Sequence, residues 1–399
     1  MNPRQKELIK ATVPVLQSAG AVLTEHFYKR MLGQHPELKE VFNMGNQANG
    51  KQKNALAGAV LAYAANIDNP SVLINVLKGI GNKHVSLSIK PEQYSIVGEH
   101  LIASIKEVLG DVATVELLEA WTIAYNELAD IMINIEKEMY LANEEKEGGW
   151  NGWRNFTIGK ITEESKEIKS FFLYPTNGKK IADYKAGQYV SVQVYVKEIE
   201  LFQPRQYSLS TVSNPEFYRI SVKKESAIAN NPAGMVSNTL HEMQVGDTIN
   251  LSNPAGIFSL KTAGTPIVLI SGGVGVTPML SMLETNRDTL KNKTIWIHGC
   301  RNASVHAFKE DVNLIQEGAD WLDTYLFNED LDDQSDSAII KGRVDLNKCK
   351  EAILLEDAHY YICGPEMFIK THYDSLINFN ISKSNIFYEE FGPGSINLN

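Results

Sequence analysis

The chain of 399 residues has a formal net charge of −10, with 43% apolar and 22% charged residues. This length exceeds one ordinary hydrophobic core and predicts two or three domains. The acidic balance argues against nucleic acid or an anionic membrane surface as a partner. No run approaches about 18 apolar residues, so no membrane span is expected. Because the N-terminus shows no secretory signal and the three cysteines lack disulfide or zinc spacing, we expect a cytoplasmic protein.

Up to about residue 142 the apolar residues recur at helical spacing, without strand-like alternation. The clearest stripe steps by four and three residues along one helix face, through Trp121, Tyr125, Leu128, Met132, Ile135 and Met139. Residues 1–142 are therefore predicted to form an all-α domain. The charged and then glycine-rich stretch 143–153 is typical of a linker.

Beyond the linker the pattern changes twice. Residues 154–262 are predicted to form an antiparallel β-barrel, because short alternating segments are separated by turn residues. Its strands are expected at Phe156–Ile161, Ile168–Tyr174, Tyr189–Val194, Arg205–Ser210, Tyr218–Val222 and Thr248–Leu251. Residues 263–399 repeat strand, glycine turn and helix, which predicts an α/β nucleotide-binding domain. Its strands are expected to include Ile267–Ser271, Thr294–His298 and Tyr360–Cys363.

The glycine turn Gly273–Pro278 follows a buried strand and opens a helix. The free backbone N–H groups and the helix dipole at such a turn suit a pyrophosphate. Because the third glycine of the dinucleotide fingerprint is absent, the turn alone leaves an ordinary strand-to-helix connection equally open. The Gly-Pro turn after Cys363 favours the nucleotide site, since it lies at the same predicted edge of the sheet.

Two motifs in the middle domain also suit a nucleotide. In Arg205–Ser208 the arginine offers a planar fork for phosphate and Tyr207 a face for a flat ring, although an ordinary strand explains four such residues better. Gly234–Ser237 predicts a second helix N-terminus aimed at a phosphate. Together with Gly273–Pro278, Cys363-Gly-Pro and a terminal aromatic residue, these motifs occur in an order that resembles the ferredoxin–NADP⁺ reductase family.

This resemblance implies FAD and NAD(P)H as cofactors. Arg205 would hold an FAD phosphate, Tyr207 would pack on the isoalloxazine, and Ser208 would lie near flavin N5. Phe391 would cover the other flavin face until nicotinamide displaces it, and Cys363 would lie near the hydride path. The other residues implied for the two nucleotide sites are Tyr189, Gln206, Gly234, Val236, Ser237, Gly273, Val274, Gly275, Val276, Thr277, Pro278, Glu390, Gly392 and Pro393.

In the all-α region, His84 lies on the predicted inner face of a helix, one turn after Ile80. A lone histidine on an apolar face is more often a satisfied core residue than a metal ligand. Its context favours a ligand, because Gln52 lies on another apolar stripe and Phe42 follows Pro36. With the segments His26–Met31, Pro36–Met44 and Lys90–His100, these residues resemble the heme domain of flavohemoglobins, and the resemblance extends over essentially the full chain.

The resemblance assigns the proximal side of the heme b site. His84 would be the sole proximal iron ligand, leaving the opposite face open for O₂. Glu136 and Tyr94 would form a hydrogen-bonded relay on its other ring nitrogen. Taken by themselves, Glu136 reads as a solvated helix carboxylate and Tyr94 as an anchored core ring. Lys83 and Glu389 are implied near the heme propionates, but a surface charge is the better interpretation of both.

On the distal side, the resemblance implies that Tyr28 donates its hydroxyl to O₂ and that Gln52 assists. Leu56 would crowd the entry, and Phe42 would pack flat on the porphyrin. The implied activity is a nitric oxide dioxygenase, in which electrons pass from NAD(P)H through FAD to heme and NO and O₂ become nitrate. The alternatives are an NAD(P)H-dependent heme reductase of alkyl hydroperoxides or O₂, and a lipid-binding or oxygen-sensing hemoprotein.

Three further properties stay open at this point. A monomer is expected, and a lipid in the distal heme pocket is compatible with its apolar residues. Arg301, which follows Gly299 and Cys300, favours a 2′-phosphate, yet one arginine does not decide between NADH and NADPH.

Overall fold

The computed structural model describes residues 1–45, 51–227, 232–261, 264–331 and 338–392, except for the side chains of residues 51–55 and 290. The chain divides into two compact units. The first comprises Met1–Trp153, Gln193–Arg205 and the segment that begins at Gly392. The second comprises Arg154–Val192 and Gln206–Phe391.

Apart from the segment Gln193–Arg205, the first unit is built from helices, as the apolar periodicity predicts. Its α-helices include α1 (Pro3–Ala11), α2 (Val13–Gln34), α3 (Lys51–Ala65), α4 (Ile74–Ser86), α5 (Pro91–Leu109) and α6 (Val115–Glu145). Short 3₁₀ helices lie at Pro36–Glu40, Pro70–Leu73 and Gly110–Val112. Local sequence determines where two of these helices begin. Pro91 is the first residue of α5, and Thr114 caps α6 by accepting a hydrogen bond from the Leu117 amide.

Two glycines let helices approach α6 closely. At Gly98 in α5, an added Cβ would overlap the Tyr125 ring. At Gly81 in α4, an added Cβ would lie 3.2 Å from the Ile135 side chain. Because Gly81 is one turn before His84 and Ile135 is next to Glu136, the crossing of α4 and α6 brings the histidine to the carboxylate.

The hairpin segment Gln193–Arg205 is tied to the helices of the first unit by the buried side chain of Gln203. Gln203 Oε1 accepts a hydrogen bond from the Met44 amide at 3.0 Å, and Nε2 donates to the Lys39 carbonyl at 2.9 Å. A buried amide that satisfies both its donor and its acceptor fixes position as well as stability. No local sequence pattern predicts this role of Gln203.

The second unit contains most of a six-stranded antiparallel sheet with the order β4-β3-β6-β1-β2-β5. Its strands are β1 (Arg154–Glu163), β2 (Ile168–Pro175), β3 (Tyr189–Val196), β4 (Leu201–Ser208), β5 (Tyr218–Lys223) and β6 (Thr248–Leu251). Leu209, directly after β4, forms an antiparallel bridge with Ile220 in β5. Because β4 and β5 are the two edges, this bridge joins them and closes the sheet, which confirms the predicted barrel.

A six-stranded parallel sheet with the order β10-β9-β8-β7-β11-β12 follows. Its strands are β7 (Ile267–Gly272), β8 (Thr294–Cys300), β9 (Leu322–Asn328), β10 (Ile339–Lys341), β11 (His359–Gly364) and β12 (Ile386–Glu390). The α-helices of this unit are α7 (Met235–Glu242), α8 (Val276–Thr285), α9 (Lys309–Gln316), α10 (Lys350–Ile353) and α11 (Glu366–Asn378). Successive residues of β7 alternate between two buried cores, so both faces of the sheet are covered.

Some element limits differ from those expected. Helix α6 continues to Glu145, into the stretch 143–153 that the sequence predicts as a linker, because no breaker precedes Gly148 and Gly149. Strands β9, β10 and β12 were not anticipated. Within the described part of the chain, no helix has the length and apolar composition that crossing a membrane requires.

Candidate functional site

His84 lies at the centre of a hydrogen-bonded group in the first unit. Its Nδ1 is 2.8 Å from Glu136 Oε1 and 3.0 Å from the Tyr94 hydroxyl. The Tyr94 hydroxyl donates to the same carboxylate oxygen at 2.5 Å. Glu136 is only 2% exposed. Since Nδ1 faces a buried carboxylate, Nε2 is the ring nitrogen that can coordinate a metal, and this donor arrangement fits a heme iron ligand.

Other side chains of the same unit hold this group in place. Tyr125, which packs on Gly98, donates from its hydroxyl to the Tyr94 carbonyl at 2.6 Å. One turn beyond Glu136, Tyr140 donates to the Ile89 carbonyl at 2.6 Å. Burial and the Glu136 carboxylate raise the pKa of Tyr94 far above its usual range. Tyr94 therefore stays protonated at neutral pH and remains a donor to Glu136.

The predicted distal residues lie on α2, on α3 and in the segment after the first 3₁₀ helix. Tyr28 is 4% exposed, and its ring meets that of Phe42 edge to face with centroids 5.6 Å apart. Leu56 packs against the same apolar cluster. The structure thus brings three of the four expected distal residues into one cluster. The fourth, Gln52, belongs to α3, but its side chain lies outside the described part.

The expected flavin residues lie along and beside strand β4. Gln206 donates from Nε2 to the Ser191 hydroxyl at 3.1 Å, and Ser208 is buried. Tyr189 exchanges both backbone hydrogen bonds with Ala255, and its ring fills the space where a side chain at Gly256 would lie. Arg205 and Tyr207, which are half-buried, are the neighbours of Gln206 on β4. Because successive side chains of a strand point to opposite faces, Arg205 and Tyr207 share one face of β4, and Gln206 and Ser208 share the other.

Gly234 is the N-cap of helix α7, as the sequence predicts. An added Cβ at Gly234 would lie 2.6 Å from the Ser237 hydroxyl. That hydroxyl donates to the Gly234 carbonyl at 3.0 Å and accepts from the Glu225 amide at 3.3 Å. Ser237 therefore connects the backbone at Glu225 to the start of the helix through hydrogen bonds, and the neighbouring Val236 is buried. The unpaired N–H groups of a helix start fit a pyrophosphate.

The turn Gly273–Gly275 leads from β7 into α8. Gly273 has φ +55°, which favours glycine. At Gly275 an added Cβ would overlap the carbonyl of Cys363, so the glycine is required by the neighbouring strand β11. Thr277 donates to the Val274 carbonyl at 3.1 Å. The first three residues of α8, Val276, Thr277 and Pro278, are buried, and their packing fixes the position of the helix start directly after the turn.

Cys363 is fully buried on β11, opposite Glu389 of β12 in the strand register. Burial raises the pKa of the Cys363 thiol, which therefore stays neutral.

The segment after β12 begins with Phe391, which is 47% exposed and follows Glu390, the last residue of the strand. In the first unit, Lys83 donates to the Gly392 carbonyl at 3.1 Å, so its charge is not simply solvated. Pro393 lies outside the described residues.

A buried ion pair inside the second unit was not found from the sequence. Arg219 on β5 lies 3.1 Å from Glu284 on α8, and both residues are 8% exposed. The other Glu284 oxygen accepts from the Thr211 hydroxyl at 2.7 Å and from the Val212 amide at 2.8 Å. This network joins the barrel to the parallel sheet domain. Residues so far apart in sequence leave no periodic signal that predicts their pairing.

Three protein-family models match the chain, in the order that the fold shows. They are Globin at residues 25–132, Oxidoreductase FAD-binding domain at residues 155–260 and Oxidoreductase NAD-binding domain at residues 269–373. A flavohemoprotein of Rhizobium meliloti (strain 1021) is 48% identical over 398 residues, which cover 98% of each chain. A flavohemoprotein of Bordetella pertussis is 47% identical over 404 residues, covering 99% of this chain and 100% of the relative.

Solved structures agree with these relatives. A flavohemoglobin from Malassezia yamatoensis with bound FAD and heme aligns with a TM-score of 0.86 and 28% identity, covering 98% of this chain and 99% of that one. The FAD/NAD-binding domain of nitric oxide dioxygenase from Vibrio cholerae aligns with a TM-score of 0.54 and 34% identity, covering 59% of this chain and 97% of that domain. With full-length relatives at this identity and all three domains in order, the chain belongs to the flavohemoprotein family.

Proposed function

We propose that this chain is a nitric oxide dioxygenase that converts NO and O₂ to nitrate, with electrons that pass from NAD(P)H through FAD to heme. The observation that carries the proposal is the buried carboxylate on His84 Nδ1, in a chain that also contains FAD-binding and NAD-binding domains. One hydride supplies two electrons, which suffice to turn two NO and two O₂ into two nitrate ions. A carrier or sensor would need no such continuous supply of electrons.

The proximal residues have a defined electrostatic role in this proposal. Glu136 accepts the Nδ1 proton of His84 and Tyr94 donates to Glu136, so the imidazole gains imidazolate character. Heme supplies the iron centre at which O₂ and NO react. An electron-rich histidine ligand favours the transfer of electron density toward O₂. This property suits a reactive oxygenase better than a reversible oxygen carrier.

The distal residues control what reaches the iron. We assign Tyr28 as the hydrogen-bond donor to O₂, Phe42 as the ring against the porphyrin and Leu56 as the residue that narrows the entry. Gln52 remains the proposed second polar residue on this side. The apolar surroundings of Tyr28, Phe42 and Leu56 also support the proposal that an acyl chain of a lipid enters the distal heme pocket.

The reductase residues would hold two nucleotides. We assign FAD to Arg205, Tyr207, Ser208 and Tyr189, with its pyrophosphate at the start of α7. NAD(P)H is assigned to the turn Gly273–Pro278, where backbone N–H groups would receive the pyrophosphate. Cys363 and Phe391 are assigned to the nicotinamide side of the flavin. Gln206, Gly234, Val236, Ser237, Glu390, Gly392 and Pro393 complete the proposed flavin and nicotinamide surroundings.

We further propose the domain boundaries 1–142, 143–153, 154–262 and 263–399, and a monomer in the cytoplasm. Residue 143, at which the proposed linker begins, belongs to the last turn of α6. The three cysteines are free and buried, as a reducing compartment permits.

The test is a comparison of NO consumption by the purified holoprotein with NADH, in air and under anaerobic conditions. We expect rapid consumption only with O₂, and nitrate formation at twice the rate of NADH oxidation. Cumene hydroperoxide serves as the competing substrate. Faster NADH oxidation with the hydroperoxide than with NO and O₂ would instead favour the heme reductase alternative.

A further inference from the structure

The carboxyl end of strand β8 is the part of a doubly wound sheet at which NADH and NADPH are distinguished. Strand β8 is the neighbour of β7, whose end carries the glycine turn. In doubly wound parallel sheets the adenosine ribose lies over the end of the strand that follows the phosphate turn. An acidic residue there binds the 2′-hydroxyl of NADH, whereas an arginine receives the 2′-phosphate of NADPH. Arg301 is the first residue after β8.

Arg301 is already paired. Its Nη2 forms a salt bridge with Glu167 Oε1, a carboxylate from the loop between β1 and β2. The backbone anchors this loop on both sides, since the Lys224 amide donates to the Glu167 carbonyl at 2.7 Å and the Lys166 amide donates to the Ser304 carbonyl at 3.1 Å. The Glu167 side chain is therefore held beside the segment that follows Arg301.

Further negative charge lies at the same edge of the sheet. The Asp330 amide donates to the Arg301 carbonyl at 2.8 Å, which fixes an acidic residue beside the arginine. Its neighbour Glu329 forms an ion pair with Arg343 at 3.4 Å. The edge thus combines two arginines with three carboxylates. A dianionic 2′-phosphate would have to displace Glu167 and approach the two remaining acids, Glu329 and Asp330, whereas a neutral hydroxyl meets no such repulsion.

We propose that Glu167 and Arg301 form a specificity pair that selects NADH over NADPH. Glu167 occupies the guanidinium that would bind a 2′-phosphate and adds like-charge repulsion against it. The inference rests on the proposed function only in assigning NAD(P)H to this sheet edge. Because the pair is partly exposed, with Arg301 58% and Glu167 30% exposed, its effect is moderate in size.

The experiment measures the binding of adenosine 2′,5′-bisphosphate and of 5′-AMP to the FAD-loaded full-length protein by isothermal titration calorimetry. Wild-type protein is expected to bind the bisphosphate no more tightly than 5′-AMP. In Glu167→Gln the affinity for the bisphosphate should rise about fivefold, with 5′-AMP affinity unchanged. Glu163→Gln is the matched control, because Glu163 lies near the same loop and forms an ion pair with Lys169 instead.

A second variant and a kinetic measurement complete the design. Adding Arg301→Gln to Glu167→Gln should remove the gain in bisphosphate affinity. Anaerobic stopped-flow reduction of the flavin should show the same change in preference between NADPH and NADH. Wild-type protein that favours the bisphosphate, or a folded Glu167→Gln variant with unaltered affinities, would overturn the proposal. None of these measurements uses NO, so a failed NO dioxygenase assay and a failed specificity test are distinguishable.

Discussion

The Nδ1 atom of His84 lies 2.8 Å from a carboxylate oxygen of Glu136, which is almost completely buried. The contact depends on the close crossing of α4 and α6 at Gly81. A buried carboxylate is costly unless it is paired, and here both the imidazole and the Tyr94 hydroxyl pair with it. In the proposed role of His84 as the iron ligand, the same contact would orient the ring and increase its basicity toward iron.

Replacing Glu136 by glutamine should weaken the electron donation from His84. Glutamine can still accept the Nδ1 proton, but it lacks the negative charge. We expect NO consumption to fall about tenfold or more, with the rate of flavin reduction by NADH unchanged. Resonance Raman spectroscopy of the ferrous protein should show a lower iron–histidine stretching frequency. The exposed Glu138 on the same helix gives the control Glu138→Gln, and equal behaviour of the two variants would refute the proposed role.

Replacing Tyr28 by phenylalanine should remove a hydrogen bond to O₂ while keeping the ring that meets Phe42. The loss of one such bond predicts roughly tenfold faster O₂ release and a corresponding fall in NO turnover. Reduction of the flavin by NADH should not change. Tyr63→Phe is the control, because the buried Tyr63 hydroxyl has no hydrogen-bond partner among the residues that the structure describes. Unaltered NO consumption in Tyr28→Phe would show that the distal assignment is wrong.

Gly275→Ala should disrupt the nucleotide turn, because the new methyl group would overlap the Cys363 carbonyl. We expect a loss of stability of about 2 kcal/mol and strongly impaired flavin reduction by NADH, measured by stopped-flow absorbance. Gly58→Ala in α3 is the control, since no atom of the described residues lies within 4 Å of an added Cβ there. That change should be neutral or slightly stabilising. Normal NADH reactivity of Gly275→Ala would contradict the close packing of turn and strand.

The Arg219–Glu284 pair should contribute to the joint stability of the barrel and the parallel sheet. Glu284→Met leaves the Arg219 guanidinium buried beside Phe308 without its carboxylate, at a cost of about 3 kcal/mol. The double change to methionine at both positions should cost less than the single one. The stability of the single and the double variant is measured from the thermal release of FAD, which is followed by FAD fluorescence. A double variant less stable than Glu284→Met would contradict this account.

His372 on α11 predicts a pH dependence of stability. Burial lowers the pKa of His372 to about 4, whereas the unfolded chain retains an ordinary value of about 6.5. Between those values the unfolded chain binds more protons, so the free energy of unfolding of this unit should fall as pH falls. The slope from one such group is at most about 1.4 kcal/mol per pH unit. Denaturant unfolding at pH 7 and pH 5 should show a smaller loss of the free energy of unfolding in His372→Gln than in the wild type. An identical loss in the two proteins would refute the assignment.

The fold class follows from patterns that are local in sequence. Helical periodicity, strand alternation and the turn at Gly273–Pro278 each report on neighbouring residues, and the structure has the three predicted folds. Strand β9 escaped notice because polar residues interrupt it, with Asp323 and Thr324 inside its span. Strand β10 has only three residues, too few for a pattern.

The site was less accessible to sequence reasoning where distant elements meet. Taken by itself, Glu136 resembles a solvated helix carboxylate, and its burial results from the crossing at Gly81. Tyr125 counted only as one member of an apolar stripe, although its hydroxyl also fixes the Tyr94 backbone. The hydrogen bonds of Gln203 and the pairing of Glu167 with Arg301 join segments far apart in the chain. No propensity or spacing predicts such contacts.

The central claim is that His84 binds heme iron through Nε2. The most direct measurement is the visible absorption spectrum of the purified protein beside that of His84→Ala, with and without added imidazole. We expect an intense Soret band for the wild type, an altered spectrum for the variant, and recovery of the wild-type spectrum when imidazole fills the space of the missing ring. A wild-type protein without a Soret band, or an unaltered spectrum in His84→Ala, would contradict the claim.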